Sequence, residues 1–339
     1  MRILFYTGYQ AEPFDGNTKI GLAGTEIAII KIAEEMVKFG HQVIISGQVK
    51  DSDLINGVEW ISTDKLHKKY FDQLDVIISA SYIHFLKEFE QYNAKKVFWA
   101  HNTHHHPWWN GTQLPNADQL TQLVDHTVCL TKWHADKWSK DYGIDQNKMS
   151  IIGNGIDPST FMGKPNKIKG KFIWTSAADR GLVELLYNWP KIKQSIPYAS
   201  LDIYAPRYSP AKSSDFILDG LEDIRFMGTV DQIALHDAML RAEYWCYITD
   251  YEETYCITAL EMQYAKVLPI VTKTAALSET VNSGIILDRS ETNWNQIVQI
   301  LNSLGSELKN KSIEDAYQWA KQQTWNVRSY DWKTLLESL

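Results

Sequence analysis

The sequence of 339 residues is poor in the features that mark specialised classes of protein. Its three cysteines, Cys129, Cys246 and Cys256, are too few for a disulfide framework and lack the paired spacing of a metal site, which fits a reducing compartment. No stretch approaches the ~18 consecutive apolar residues of a spanning helix. The opening MRILFYTGY has too short an apolar run for a signal peptide, so the expected location is cytoplasmic. Charge of one sign is not concentrated anywhere. Lys and Arg total 34 against 41 Asp and Glu, a net −7 spread over both halves, which leaves no basic face for nucleic acid. Repeats and low-complexity tracts are missing too, and 44% hydrophobic residues suffice for a buried core, which excludes a disordered chain.

What is present is an alternation. Short β-branched or aromatic runs at 2–7, 42–46, 75–79, 96–100 and 126–131 are separated by helical patterns. One of these, 25–39, places Ile29, Ile32, Ala33, Met36 and Val37 on one face and stops at Gly40. Glycine, proline and lysine interrupt the pattern over 153–171, after which strands are expected near 172–176, 200–204, 224–227, 244–248 and 268–272. Such alternation predicts α/β domains with parallel sheets covered on both faces. The expected domains are 1–157 and 158–325, with a last helix, 326–339, packing back on the first. Two facing Rossmann-like domains would enclose a cleft at the carboxyl ends of their strands, where open α/β sheets bind ligands.

The segment Glu253-Thr-Tyr-Cys-Ile-Thr-Ala-Leu-Glu261 follows a predicted strand and runs into a helix. The helix start, Cys256 to Thr258, presents amides and the positive dipole end to an anion such as a diphosphate. A carboxylate on either side suits a nucleotide-sugar, one for sugar hydroxyls and one for the ribose. The plainer alternative has Glu253 favouring the helix dipole and Glu261 on the solvated surface.

Other segments fall into register with this one. Ile151-Ile-Gly-Asn154-Gly155-Ile156-Asp157 with Phe161 resembles the "PNGVD…F" motif of glycosyltransferase family 4. Asp179-Arg180-Gly181-Leu182 sits at the family's "KG(L/V)" turn, and Phe226-Met-Gly228-Thr-Val230 resembles its "F.G.V". Glu253 to Glu261 is its E-x7-E, and Leu268-Pro269-Ile-Val271 with Leu277-Ser-Glu279 resembles "PVV…G..E". In the first half, Gly21-Leu-Ala-Gly24-Thr25-Glu26 resembles the "GG.E" loop, with Gly24 and Glu26 the closest matches. It is not G-x-G-x-x-G, so a nicotinamide cofactor is not supported.

The resemblance implies the two-domain GT-B fold and a retaining glycosyltransferase. Such an enzyme moves a hexose from a nucleotide-diphosphate sugar to a glycan or glycoconjugate acceptor, with neither metal nor cofactor. It implies that Arg180 and the helix start at Cys256, Ile257 and Thr258 hold the diphosphate, Glu261 the ribose and Glu253 the donor hexose. Val230 would meet the base, Gly24 the donor, and Glu26 would lie on the acceptor side. GDP-mannose is favoured slightly over UDP-glucose on the family prior alone. A sugar-nucleotide epimerase and an inactive carbohydrate-binding scaffold are the alternatives.

Trp99-Ala-His101-Asn-Thr-His104-His105-His106-Pro-Trp108-Trp109 contains four of the ten histidines. Sugar site, structural loop and metal site are all readings of this cluster. The resemblance matches His101 to a histidine that orients the transferred hexose, and Trp108 and Trp109 would form an acceptor platform. Two departures stand out. Thr175 replaces an Arg of the family and Arg180 replaces its Lys, so a second cation is sought, with Arg207 and Lys273 as candidates. Cys256 stands where the family commonly has a small residue, and a reactive low-pKa thiol is conceivable there beside a backbone role.

Asp51-Ser-Asp53 matches the metal-binding DxD of another glycosyltransferase fold but reads as a solvated loop. Lys65, Lys68 and Lys69 with Leu66, Tyr70 and Phe71 form a modest basic-amphipathic stretch, so membrane association is expected to be weak at most. The tryptophan content is compatible with a homodimer.

Overall fold

The computed structural model describes residues 1–9, 12–104, 122–205, 221–289 and 293–339. They form two compact units, Met1–Gly155 with Trp325–Leu339, and Ile156–Thr324.

The first unit is built on β1 (Arg2–Tyr6), β2 (Gln42–Gly47), β3 (Ser52–Ile55), β4 (Val58–Ser62), β5 (Val76–Ala80), β6 (Lys95–Trp99), β7 (His126–Cys129) and β8 (Met149–Ile151). Their order in the sheet is β3-β4-β2-β1-β5-β6-β7-β8. Ile3, Leu4 and Phe5 of β1 are fully buried, so side chains on both faces of this central strand are covered. Helices α1 (Gly24–Lys38) and α2 (Lys132–Tyr142) belong to this unit.

Only the edge strand β3 runs antiparallel among the described strands. It pairs with β4 through Asn56 and Gly57, both at positive φ (53° and 80°), as a tight hairpin turn demands. The Asp51-Ser-Asp53 stretch therefore leads into a paired strand and is not a free loop. Asp51 accepts from Ser62 N at 2.8 Å and Lys65 Nζ at 2.6 Å. The Lys65 ammonium, with the Ser62 amide, holds the carboxyl down at about 2. The lysine-rich stretch that follows forms 3-10 turns, with Phe71 buried and Tyr70 beneath the Arg2 guanidinium.

In the second unit all sheet pairings among the described residues are parallel, in the order β11-β10-β9-β12-β13-β14. The strands are β9 (Lys171–Trp174), β10 (Ser200–Ile203), β11 (Ile224–Phe226), β12 (Tyr244–Tyr247), β13 (Leu268–Thr272) and β14 (Ile285–Leu287). Helices α3 (Leu182–Ser195), α4 (Gln232–Arg241), α5 (Ile257–Tyr264), α6 (Leu277–Thr280), α7 (Trp294–Ser303) and α8 (Ser306–Ala320) belong to it. Trp174, Trp189 and Trp245 are fully buried in its core.

Two polar devices lock this unit. Asp202 on β10 takes the Lys171 ammonium at 2.6 Å and the Arg225 guanidinium at 2.8 Å. Burial works against the Asp202 carboxylate, but these two cations outweigh it and its pKa falls. Lys167, from the irregular segment ahead of β9, donates to Met239 O at 3.0 Å and Ala265 O at 2.7 Å, which satisfies carbonyls near the ends of α4 and α5. Burial brings its ammonium down to about 7.

The chain then returns to the first unit as α9 (Trp325–Ser338). Trp332 is fully buried there, edge-on to Trp99 at 4.7 Å and to Phe5 at 6.5 Å, and Tyr330 meets Phe39 of α1's C-terminal end at 5.2 Å. The two connections between units lie side by side, since Ile156 N donates to Gln323 O at 2.9 Å.

Candidate active site

In the second unit the loops after β9 and β12 converge. After β9 the chain turns through Ala178–Arg180 into α3, and Gly181 makes the turn at φ 114°. A Cβ at Gly181 would lie 2.3 Å from Ile248 O, so only glycine lets this loop press against the exit of β12. Across that contact Arg180 Nη1 donates to Glu253 Oε1 at 2.7 Å. The Tyr247 hydroxyl donates to the same oxygen at 2.6 Å, and the guanidinium carbon lies 3.7 Å from the centre of the Tyr251 ring.

Burial opposes the charge on Arg180, yet Glu253 and the two tyrosines outweigh it and the pKa is raised. The Tyr247 phenol is pushed well above its ordinary value, by burial first and then by Cys256 and Glu253, and so stays a donor. Arg180 Nε is buried with no hydrogen-bond partner among the described residues.

Helix α5 begins beside this cluster. Its N-cap, Cys256, has φ 67° and ψ 80°, a left-handed conformation in which most side chains are strained. The amides of Ile257 and Thr258 open the helix and have no acceptor within it. The Cys256 thiol is pushed well above its usual range, by burial and then by Glu253. Burial and the adjacent Glu253 carboxylate thus work against a reactive low-pKa thiol at this position.

Glu261 sits inside α5 and is buried, as is Glu253, so the solvated-surface alternative for Glu261 fails. Its Oε1 is 3.0 Å from Nε2 of His236 on α4. Both carboxylates of the E-x7-E segment thus have cationic or imidazole partners from other elements. Neither His236 nor Tyr247 was singled out in the sequence, since each reaches its glutamate only through the fold.

Gly228, at φ 73°, lies in the turn between β11 and α4, with open space where a Cβ would be. Val230 follows, half-buried, beside exposed Phe226 and Met227. Thr175, at the place of the family's Arg, has a buried hydroxyl without a partner among the described residues. Of the second-cation candidates, Lys273 is exposed after β13 and Arg207 lies outside the described residues.

In the first unit Gly21 has φ 85° and the loop enters α1 at exposed Gly24. The Glu26 carboxylate folds back to accept from Ala23 N at 2.8 Å, closing the helix start. His101, directly after β6, is buried against Trp99 at 4.5 Å between ring centres. Burial, with His134 nearby, brings its pKa down to about 3, so the ring is neutral and can orient a polar group without carrying charge. The next residue is fixed by α2, where His134 Nε2 and Trp138 Nε1 each lie 2.9 Å from Asn102 O. That His134/Trp138 pair, four residues apart on one helix face, was the overlooked sequence signal. His105, His106, Trp108 and Trp109 lie outside the described residues.

Among the described residues no group of three His, Cys, Asp or Glu side chains is placed to hold a metal ion. No helix among them is long and apolar enough to cross a membrane.

Comparison with known proteins agrees with this architecture. The family model of Glycosyltransferase Family 4 matches residues 22–160. No curated protein sequence matches the chain. Among solved structures it resembles a glycosyltransferase from Rickettsia africae, at 14% identity and a TM-score of 0.75 over 99% of this chain and 98% of that one. It also resembles Anabaena Alr3699/HepE, solved in complex with UDP and glucose, at 14% identity and a TM-score of 0.74 over the whole of both chains. Sucrose-phosphate synthase from Thermosynechococcus elongatus is similar at 13% identity and a TM-score of 0.76, over 99% of this chain and 98% of that one. Two Rossmann-like sheets and these likenesses give the chain the GT-B fold, and its residues 22–160 match Glycosyltransferase Family 4.

Proposed function

We infer that the protein transfers a hexose from a nucleoside-diphosphate sugar to a glycan or glycoconjugate acceptor, with retention and without a metal ion. The observation that carries this reading is the cluster of Arg180, Glu253 and the start of α5, with Glu261 one turn further on. Glycosyl transfer develops positive charge on the sugar and negative charge on the departing diphosphate. Arg180 binds Glu253 through Nη1, and its Nη2 remains for a phosphate oxygen. The Ile257 and Thr258 amides would complete that anion seat. Glu253, held by Arg180 and Tyr247, would accept from hydroxyls of the hexose, and Glu261 from those of the ribose. Val230 would meet the base, and His101 keeps the hexose-orienting role that the resemblance gives it. Gly24, Glu26, Trp108 and Trp109 keep the donor and acceptor roles given by the same resemblance.

The complexes of Anabaena HepE with UDP and with UDP-glucose favour UDP-glucose as the first donor to test, ahead of GDP-mannose. The experiment is a thermal-shift panel of UDP-glucose, GDP-mannose and their free diphosphates, with and without EDTA. A ligand at 100 times its Kd adds about 2.7 kcal/mol to folding stability. Selective stabilisation by one donor, unchanged by EDTA, supports the reading. Transfer to an added acceptor with retained anomeric configuration separates a transferase from an epimerase. No response to any nucleotide would move the protein to the inactive-scaffold alternative.

A further inference from the structure

Glu261 is gripped from one side only. Its Oε1 is 3.0 Å from Nε2 of buried His236, while Oε2 has no hydrogen-bond partner among the described residues. The histidine is held in turn. Its Nδ1 lies 2.8 Å from Thr160 Oγ1, and the Thr160 hydroxyl donates to Asp157 O at 2.6 Å. A carboxylate oxygen without a hydrogen only accepts, so the hydrogen facing Glu261 is carried by Nε2, while Thr160 Oγ1 holds the other ring nitrogen. Phe161 stacks on the imidazole at 4.0 Å with the planes 5° apart, which opposes rotation of the ring. Asp157, Thr160 and Phe161 belong to the turn that opens the second unit, so a distant segment sets the direction of one carboxylate.

We propose that His236 is a positioning residue for nucleotide binding: it occupies Oε1 of Glu261 and thereby aims Oε2 at the ribose hydroxyls. This rests on the reading of Glu261 as the ribose ligand. A histidine that only filled the core would leave the preference for ribose untouched, whereas a positioning residue controls it.

The test compares UDP with 2′-deoxy-UDP, and GDP with 2′-deoxy-GDP, by titration calorimetry on the full chain. Hydrogen bonds to a charged group correspond to about tenfold or more in affinity, so the unsubstituted protein is expected to prefer its ribonucleotide by about that factor. His236→Asn keeps a polar atom near the position of Nδ1 but does not reach Glu261. It should lose most of the preference and raise the donor KM far more than it lowers kcat. His236→Gln, whose amide reaches the Nε2 position, should restore the preference. His236→Phe keeps the stack on Phe161 and repeats the Asn result if His236→Asn folds poorly. A folded Asn or Phe variant with the full ribose preference overturns the proposal, as does a folded Gln variant that has lost it. Failure of the parent reading shows differently: Glu261→Gln then keeps the ribose preference, whatever the His236 variants do.

Discussion

Arg180 and Glu253, 73 residues apart in the chain, are joined by a 2.7 Å ion pair at the point where the loops after β9 and β12 meet. The proposed function gives one to the diphosphate and the other to the hexose, so the pair couples the two halves of the donor. Arg180→Ala should lower kcat/KM by about 100-fold or more, and Arg180→Lys by less, because lysine keeps the charge but not the fork. Steady-state transfer with a fixed acceptor measures both, and an Arg180→Ala enzyme with full turnover removes Arg180 from the site.

Glu253→Gln separates binding from transfer. Without the carboxylate that now takes Nη1, the guanidinium is released to the diphosphate. Free nucleoside diphosphate should therefore bind more tightly while sugar transfer collapses. Calorimetry and turnover on the same preparation check the two directions together. Weaker diphosphate binding would show that Glu253 orients the guanidinium and does not compete for it.

Cys256 holds a left-handed backbone at the start of α5. For a residue with a side chain that conformation costs about 1–2 kcal/mol, part of which glycine returns as lost chain entropy. Cys256→Gly should stabilise the protein by about 1 kcal/mol in chemical denaturation and retain activity. In the unsubstituted protein the raised thiol should resist alkylation at neutral pH, in contrast to the unfolded chain. Fast native-state modification would contradict it.

Two buried imidazoles make the first unit sensitive to acid. His101 and His134 have pKa values of about 3 and about 4, each lowered chiefly by burial, against about 6.5 when unfolded. Below pH 6.5 the unfolded chain takes protons that the folded chain refuses. The stability is complete above pH 6.5 and falls as the pH drops, by about 1.4 kcal/mol per pH unit for each ring. Urea denaturation at pH 7.5 and 5.5 reads this, and His101→Phe should reduce the slope by one ring's share. An unchanged slope in that variant would mean that His101 is already accessible to protons.

Trp332→Ala should cost about 3–5 kcal/mol, since it empties a fully buried site lined by Phe5 and Trp99. Thermal denaturation measures the loss. A melting temperature within a degree or two of the unsubstituted protein would show that α9 contributes little to the first unit.

The central strands were legible because a strand buried on both faces is written as an uninterrupted apolar run, as in Arg2–Tyr6 and Leu268–Thr272. Of the edge strands, β11 was expected at 224–227 but β8 and β14 were not. Met149–Ile151 and Ile285–Leu287 have three residues each and are only half covered, so their pattern is too short to stand out. The β3–β4 hairpin did carry a signal in Asn56-Gly57, overshadowed by the formal DxD next to it. Glu253, Glu261 and Arg180 could be found because each lies in a short segment that resembles a family 4 motif, with its neighbours in the motif close by in sequence. Their partners could not: His236 is 25 residues from Glu261 and Thr160 is 76 from His236, distances that only the folded sheet closes.

The return of α9 to the first unit also has a temporal meaning. A ribosome delivers β1 to β8 first, then the entire second unit, and only afterwards Trp332, whose indole fills the space between Phe5 and Trp99. Until residues 325–339 have been made, the first unit has an open seam in its core while the second, continuous from Ile156 to Thr324, already has all its parts. The half that begins synthesis first is therefore the half that finishes folding last, and a nascent chain stalled before Trp325 would expose that seam to chaperones and proteases.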